Sequence, residues 1–146
     1  HKDKTTAEDV NPNYIVPRMF QMRLQKIMDE YVAGVSTLYQ TNATYLDEGL
    51  KYLTMLKEDS ENLRAKDLHE LLRAWENYHR VWTAEMHLRH IQFRTETRYP
   101  GFYYRADFPD LNEEEWHCFV NSRFDPKSKE WDVFKRDWVG LVDHGH

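Results

Sequence analysis

The stretch Asp67-Leu-His-Glu-Leu-Leu-Arg-Ala-Trp75-Glu-Asn-Tyr-His-Arg-Val-Trp82-Thr-Ala-Glu-Met-His-Leu-Arg-His-Ile-Gln-Phe93 decides the fold, because its apolar residues recur every three or four positions, as in an α-helix. Asp67 is a suitable N-cap, and the apolar pattern ends near Phe93. This length predicts one helix of about seven turns. The predicted buried stripe consists of Leu68, Leu71, Leu72, Trp75, Tyr78, Trp82, Met86 and Leu88 or Arg89.

Two shorter helices are predicted upstream of this stretch. The first begins near Arg18 and is terminated by Gly34, and the second begins at Asn42 or Thr44, both suitable N-caps, and ends near Glu58. Short polar connections favour antiparallel neighbours. The predicted fold is therefore mainly α, with an up-down-up three-helix bundle. The apolar stripes are Phe20, Leu24, Ile27, Met28, Tyr31 and Val35 in the first helix, and Leu46, Leu50, Leu53 and Leu56 in the second.

The pattern changes after Pro109, where short segments rich in strand-forming residues appear. Residues 116–121 and 131–135 are the predicted strands of a small C-terminal β-hairpin, with residues 125–129 as its turn. Cys118 is expected to be a small buried residue on the first strand. The predicted organisation is an extended entry segment at 1–17, the bundle at 18–94, and a docking loop with the hairpin at 95–146, all in one domain.

Length and charge limit the classes of protein to which the chain can belong. Its 146 residues suffice for a single domain with one core. A formal net charge of −5 argues against a nucleic-acid partner, because proteins that bind nucleic acids usually present a basic surface. The sequence has neither the roughly 18 consecutive apolar residues that membrane insertion requires nor a signal peptide at its start. We therefore expect a cytoplasmic protein.

The sequence offers no complete constellation for catalysis or for cofactor binding. It lacks the glycine-rich motifs that bind phosphates and dinucleotides. Glu76 and His79 have the spacing of a di-iron helix, but such sites need a second copy of the motif and further glutamates. His87 and His90 are better explained as part of a solvated or ion-paired helix surface. Cys118 is the only cysteine, which excludes a thiolate cluster. No catalytic, cofactor-binding or metal-ligating residue is therefore assigned in this chain.

The segment after the long helix, Arg94-Thr-Glu-Thr-Arg-Tyr-Pro-Gly-Phe-Tyr-Tyr-Arg-Ala-Asp-Phe-Pro109, combines charges and aromatic rings. Guanidinium groups bind carboxylates in two-pronged geometry, so an ion-pair network that pins an irregular loop is predicted. The alternative is a solvated loop whose ion pairs each contribute only about 0–1 kcal/mol. Five rings within ten residues are not expected to stay exposed. The predicted docking residues are Arg94, Glu96, Arg98, Tyr103, Arg105, Asp107 and Trp116.

From Leu24 onward the sequence resembles the C-terminal domain of the fumarate reductase and succinate dehydrogenase flavoprotein superfamily. In that superfamily a helix ends in Arg-x-Glu-Ser-Arg-Gly-x-His-x-Arg-x-Asp-x-Pro, and acidic residues and a tryptophan follow. The sequence differs from this motif by the insertion of Tyr99-Pro100 and by Tyr103 in place of the histidine. In both differences it resembles the adenylylsulfate reductase branch of the superfamily. The matching positions here are Arg94, Glu96, Arg98, Arg105, Asp107, Pro109 and Trp116.

This resemblance implies a longer parent that holds FAD and interconverts adenylylsulfate with AMP and sulfite. It also implies a beta subunit with iron-sulfur clusters that exchanges electrons with the flavin. The catalytic and FAD-binding residues of such a parent would lie upstream, so the present chain would be a scaffold. It would pack against the flavin-binding domain of the same polypeptide and, as a second role, present surface to the beta subunit.

Two alternatives stay open at this stage. The parent could be of the succinate dehydrogenase, fumarate reductase or aspartate oxidase type, although Tyr103 and the two-residue insertion argue against these. The chain could also be a stand-alone helical interaction module without any enzyme attached. A surface compatible with solvent would favour the module, whereas a large exposed apolar patch would favour a domain of a larger protein.

Overall fold

The computed structural model describes residues 15–140. Three long helices are followed by a loop and a hairpin, which confirms the predicted fold class. Within the described part of the chain, no helix is both long enough and apolar enough to cross a membrane. The elements are α1 (Pro17–Tyr31), β1 (Gln40–Thr41), α2 (Ala43–Asp59), α3 (Leu68–Phe93), β2 (Tyr104–Arg105), α4 (Glu113–Trp116), β3 (Cys118–Asp125) and β4 (Glu130–Asp137), with single 3₁₀ turns at Val35–Thr37 and Ser60–Asn62.

The predicted starts of α2 and α3 are confirmed by their N-caps. Asn42 Oδ1 accepts a hydrogen bond from the main-chain N–H of Tyr45 at 2.9 Å, so Asn42 is the cap and Thr44 lies inside the first turn. Asp67 Oδ1 accepts from the N–H of Glu70 at 2.8 Å. These bonds satisfy N–H groups that have no acceptor within the helix.

The predicted end of α1 is wrong. The helix ends at Tyr31, because the chain enters a left-handed conformation at Ala33, where φ is 55°. Gly34 therefore lies beyond the helix and does not terminate it. Val35, predicted in the buried stripe, is 69% exposed for the same reason. The rest of the stripe contacts the core, with Phe20 fully buried and Leu24 buried.

The buried face of α3 also differs from the prediction. Leu68 is 83% exposed and Leu72 is also exposed, so they do not belong to the core. Trp82 packs against the bundle core as predicted, and its ring also contacts Phe124 and Trp131 of the hairpin at centroid distances of 4.8 and 6.3 Å. Leu88 is buried as predicted. The face that α3 buries combines small, polar and aliphatic residues, namely Ala74, Asn77, Val81, Ala84, Glu85, Leu88 and Ile91.

Polar side chains link the helices inside the bundle. Asn77 Nδ2 donates to the main-chain oxygen of Pro17 at 2.9 Å. The buried carboxylate of Glu85 accepts hydrogen bonds from Lys57 of α2 and from Arg89, one turn further along α3. Since buried polar groups are costly when unpaired, these bonds make the packing of the three helices specific.

The predicted hairpin is present, with β3 and β4 antiparallel and longer than expected. Its turn falls at residues 126–129, inside the predicted range. Trp116 is not on a strand, because it is the last residue of the short helix α4, which Asn112 caps. Cys118 begins β3 and is partly exposed rather than buried. The division at 17/18 and 94/95 into parts of one domain stays a prediction, and the predicted entry segment lies mostly outside the described residues.

Replacing Gly34 by alanine is expected to destabilise the fold by about 2 kcal/mol, through overpacking. A Cβ atom at this position would lie 2.5 Å from the main-chain oxygen of Asp29 and closer still to its Cα, so the main chain itself must move. Urea unfolding measures the effect. Gly101→Ala is the matched control, because nothing lies within 4 Å of a Cβ atom there. Equal unfolding midpoints for the two variants would contradict the prediction.

Candidate docking site

The loop at residues 94–112, which we call the docking loop, is built around the carboxylate of Glu96. This side chain is 0% exposed. Its Oε1 accepts from Arg94 Nη1 and from Arg98 Nε, both at 2.7 Å. Its Oε2 accepts from the N–H of Asn112 at 2.9 Å and from Arg98 Nη2 at 3.3 Å. One buried carboxylate thus holds both arginines and the far end of the loop.

The two arginines also bind the main chain where α4 meets β3. Arg94 donates to the carbonyl oxygens of Trp116 and Cys118, each at 2.9 Å, and Arg98 donates to that of Trp116 at 3.0 Å. Arg98 Nη1 is also paired with Glu113 at 2.8 Å. We call Glu96, Arg94, Arg98 and Glu113 the Glu96 cluster. It joins the end of α3, the docking loop and the start of the hairpin.

Ionisation of the Glu96 cluster follows from these bonds. Burial acts to raise the pKa of Glu96, but the hydrogen bonds from the N–H of Asn112 and from the guanidinium groups of Arg98 and Arg94 outweigh it, so the pKa is lowered. For Arg98, burial acts to lower the pKa, but the hydrogen bonds to Glu96 and Glu113 raise it. Both groups are therefore charged at neutral pH, as a stable ion pair requires.

A second cluster surrounds Arg105, which is almost fully buried. Its guanidinium group forms a two-pronged pair with Asp107, with distances of 2.9 and 2.7 Å. Nη1 donates to the carbonyl oxygens of Ile91 at 2.8 Å and Gln92 at 3.2 Å, in the last turn of α3. Asp107 Oδ2 also accepts from the N–H of Ala43, the first residue of α2. This cluster connects the C-terminus of one helix to the N-terminus of another.

Trp116 lies beside the Glu96 cluster and contacts Phe93, Lys135 and Thr95. The ring of Phe93 meets it edge-on at a centroid distance of 5.4 Å, and Lys135 Nζ of β4 lies 3.8 Å from its ring centroid. Its Nε1 donates to Thr95 Oγ1 at 3.2 Å. The side chain thus packs the docking loop against the hairpin, and the lysine adds a cation–π contact.

Tyr103, predicted as a docking residue, forms no ion pair but lies beside the Glu96 cluster, where it lines the same cleft as Arg94 and Arg98. It packs against the bundle core, and its buried hydroxyl lies near the main chain of Arg98. Burial raises the pKa of this hydroxyl. The structure therefore separates the seven predicted residues into the Glu96 cluster with Trp116, the Arg105–Asp107 pair, and Tyr103. Their role in docking to another domain stays a prediction.

Several rings of the docking loop remain exposed, contrary to the expectation from sequence. Phe102 is 81% exposed and Tyr99 is also exposed. The parallel pairing of β1 and β2, with the N–H of Tyr104 bonded to the oxygen of Tyr39 at 2.6 Å, brings a second exposed loop beside them. That loop presents Leu38, which is 77% exposed and has a positive φ of 55°. We call Val35, Leu38, Tyr39 and Phe102 the apolar rim.

A cleft of about 470 Å³ lies between α3 and the hairpin. We call it the histidine cleft, because His87, His90 and His117 are among its lining residues. His90 Nε2 is 2.8 Å from Ser122 Oγ of β3, and no hydrogen bond contributes to the pKa of His87. Burial lowers the pKa of both His87 and His90, and for His90 the nearby His87 and Arg94 act in the same direction. Among residues 15–140, no group of three potential ligands is arranged to hold a metal ion.

Two residues that hold the docking loop, Thr97 and Asn112, are not among the predicted docking residues. Thr97 is buried and accepts from the N–H of Arg105 while donating to the carbonyl of Phe108. Asn112 supplies the main-chain N–H to Glu96 and caps α4 through the N–H of Glu115. The Asn112 and Glu115 spacing is that of a helix N-terminus, so this signal was available. The bonds made by Thr97 connect positions that only the folded loop brings together.

Acidification is expected to destabilise the protein in a defined pH range. Glu96 and Asp107, whose ordinary pKa values are 4.5 and 3.8, have lowered pKa values in the folded state. Their contribution to stability is therefore complete above these ordinary values and is lost as the pH falls through the lower folded ones. Thermal unfolding followed from pH 7 to pH 2 measures this. Glu96→Gln should flatten the dependence below pH 4.5, and a parallel curve for that variant would contradict the assignment.

Comparisons with known proteins agree with this architecture. Residues 21–139 match the family described as the fumarate reductase flavoprotein C-terminal region. The adenylylsulfate reductase alpha subunit of Megalodesulfovibrio gigas is 54% identical over 97% of this chain, which spans 21% of that protein. The adenylylsulfate reductase structure of the hyperthermophile Archaeoglobus fulgidus is 56% identical, with a TM-score of 0.88, and the match covers 97% of this chain and 22% of that one.

A more distant structure shares only the fold. The E. coli quinol fumarate reductase FrdA is 14% identical, with a TM-score of 0.72, over 89% of this chain and 22% of that one. The chain thus spans about a fifth of the length of these relatives. The predicted resemblance to the superfamily, and within it to adenylylsulfate reductase, is confirmed. Since the family match covers most of its length, the chain belongs to the family of fumarate reductase flavoprotein C-terminal domains.

Proposed function

We propose that this chain is the C-terminal scaffold domain of the alpha subunit of an FAD-dependent adenylylsulfate reductase. The parent would interconvert adenylylsulfate with AMP and sulfite in the cytoplasm. The observation that carries the proposal is the 54% identity to an adenylylsulfate reductase alpha subunit over 97% of this chain. The domain itself supplies no reacting group. Its role is to hold the flavin domain in position and, as a second role, to present surface to an iron-sulfur beta subunit.

The surface of the domain supports a scaffold role. The apolar rim exposes Leu38 and Phe102 almost completely, although such side chains gain free energy when they are buried. Leu38 and Tyr39 also hold positive φ values, which are costly for residues other than glycine. A domain that functions inside a larger protein can cover this rim, and covering it would offset the cost of the conformation. A stand-alone module would leave the rim in water.

The intact mass of the denatured gene product and its flavin content test this proposal together. A mass several times the 17.8 kDa of this chain, with FAD bound, is the expected result. The purified protein should also form AMP and sulfite from adenylylsulfate when it is supplied with electrons. A product of 17.8 kDa without flavin would overturn the proposal and favour a stand-alone interaction module.

Arg98→Ala is expected to weaken assembly of the parent without touching its chemistry. The substitution leaves the buried Glu96 with one arginine instead of two, and it removes a bond to the carbonyl of Trp116. We expect a lower ratio of FAD to protein and a lower melting temperature, with the activity per bound FAD unchanged. Arg123→Ala is the control, because the pair that Arg123 forms with Asp132 is solvent-exposed. Unchanged flavin content and melting temperature in the Arg98 variant would refute the role.

A further inference from the structure

The histidine cleft has features that the ion-pair clusters do not explain. Its walls carry five basic side chains, His87, His90, Arg94, Arg98 and His117, whereas no carboxylate of the described residues is among its lining. Glu96 lies beneath it but is fully buried and already binds both arginines. Outside the lining, the exposed Glu113 pairs with Arg98 and lies 3.2 Å from His117 Nδ1. The basic groups left for an incoming molecule are therefore His87 and His90.

Hydrogen-bonding capacity is left over inside the cleft. His87 is exposed and no hydrogen bond contributes to its pKa, and His90 uses one ring nitrogen on Ser122 Oγ. Each imidazole can donate an N–H to an oxygen acceptor. Burial together with the positive charge of Arg94 keeps the pKa of His90 low, and a carboxylate beside the ring would reverse that effect. The chemistry of the walls thus matches an acidic side chain.

The aromatic residues at the edge of the histidine cleft indicate the size of the molecule that binds there. Tyr99, Phe119 and Trp138 line the cleft and are all exposed. Rings of this kind are typical of the cores of protein interfaces. A free inorganic anion is too small to cover three such rings while it contacts the imidazoles. A polypeptide segment, with an acid and apolar neighbours, can do both.

We propose that the histidine cleft binds a carboxylate-bearing segment of the flavin domain of the same polypeptide. An aspartate or glutamate of that segment accepts hydrogen bonds from His87 and His90, and its apolar neighbours pack on Tyr99, Phe119 and Trp138. This inference rests on the proposed function, which supplies the flavin domain. The relatives of this chain are about five times longer, so in such a parent most of the polypeptide is available to provide the segment.

A covalent link within the polypeptide makes the flavin domain the favoured source. A segment of the same chain is present at a high effective concentration, so a single carboxylate with a few apolar contacts suffices for stable docking. A beta subunit would have to gain the same contacts from free solution and offset the entropy of association. Binding of the beta subunit in the cleft is therefore the outcome that contradicts the proposal.

Photo-crosslinking in the full-length gene product tests the proposal. Phe119→p-benzoylphenylalanine places a reactive ring at the edge of the cleft, and mass spectrometry identifies the peptide to which it links. The expected partner is a flavin-domain peptide of the same chain that contains an aspartate or glutamate. The same photoreactive residue at Lys127, in the turn of the hairpin, should not link to that peptide. A link to the beta subunit, a link to a peptide without an acid, or no link at all would overturn the proposal.

A charge substitution tests the role of the histidines in the same protein. His87→Glu should reduce the yield of the Phe119 crosslink by about tenfold, because two carboxylates would meet in the cleft. His69→Glu, on the exposed first turn of α3, is the matched control and should leave the yield unchanged. His87→Gln keeps a hydrogen-bond donor and should retain most of the yield. Equal yields for His87→Glu and His69→Glu would refute the histidine role.

The outcomes separate this inference from the proposed function. A long gene product that binds FAD but gives no crosslink of the expected kind leaves the proposed function intact and overturns the inference. A gene product of 17.8 kDa without flavin overturns both, because no flavin domain exists to enter the cleft.

Discussion

Replacing Glu96 by alanine is expected to lower the free energy of unfolding by about 3 kcal/mol, because removing one partner of a buried ion pair leaves charges without compensation. The carboxylate is fully buried and binds two guanidinium groups and the N–H of Asn112. Alanine leaves both guanidinium groups and that N–H without their acceptor. Urea unfolding of the 146-residue chain at pH 7 measures the change.

Glu113→Ala provides a control that uses the same arginine. Glu113 pairs with Arg98 at 2.8 Å, which is almost the distance of the Glu96 bond, but its side chain is 50% exposed. Exposed pairs contribute about 0–1 kcal/mol, so this variant should lose far less stability than Glu96→Ala. Equal losses for the two variants would mean that burial of Glu96 adds nothing, and the account of the Glu96 cluster would then be wrong.

The helix boundaries could be predicted because short-range interactions determine them. Asp67 caps α3, and one of the two candidate caps of α2, Asn42, proved correct. A cap depends on a side chain and an N–H group three residues away, so the sequence contains both partners. The end of α1 could not be predicted in this way. It depends on the left-handed conformation of Ala33, which the identity of that residue does not favour.

Hydrophobicity predicted the buried face of α3 only in part, with Leu88 buried as expected. The stripe with the largest side chains includes Leu68 and Leu72, which are exposed, and Trp82, which packs on the hairpin. The buried face includes Leu88, which comes close to α2 because Gly49 has no side chain there. The exposed leucines satisfy the apolar period equally well. The spacing of apolar residues predicts that a helix forms, whereas the shapes of the neighbouring helices decide which of its faces is buried.

The charged residues of the docking loop were found from sequence, but their pairing was not. The sequence does not show which of Arg94, Arg98 and Arg105 pairs with Glu96 and which with Asp107. In the structure, Arg105 turns toward the end of α3 and binds carbonyl oxygens there, whereas the other two arginines share Glu96. Main-chain carbonyls are the deciding partners, and their positions exist only after the helix has ended and the loop has turned back.

Arg105→Ala is expected to have the largest effect on stability, a loss of about 4 kcal/mol, because it combines a lost buried ion pair with a cavity. The guanidinium group binds Asp107 with two prongs and donates to carbonyls in the last turn of α3. Without it, these oxygens lose their donors in a region that water does not reach, since Arg105 is 1% exposed. The urea unfolding midpoint of the variant should fall accordingly.

Arg105→Lys and Arg123→Ala separate the sources of this effect. Lysine has one ammonium group, so it can bind Asp107 or the α3 carbonyls but not both in the arginine geometry, and about half of the loss is expected to remain. Arg123→Ala removes an exposed arginine and should change stability by less than about 1 kcal/mol. Asp107 also accepts from the first N–H of α2, so amide hydrogen exchange at Ala43 should accelerate in Arg105→Ala. Unchanged exchange at Ala43, with a loss below about 1 kcal/mol, would show that the Arg105–Asp107 pair does not connect the two helices energetically, even though it connects them in space.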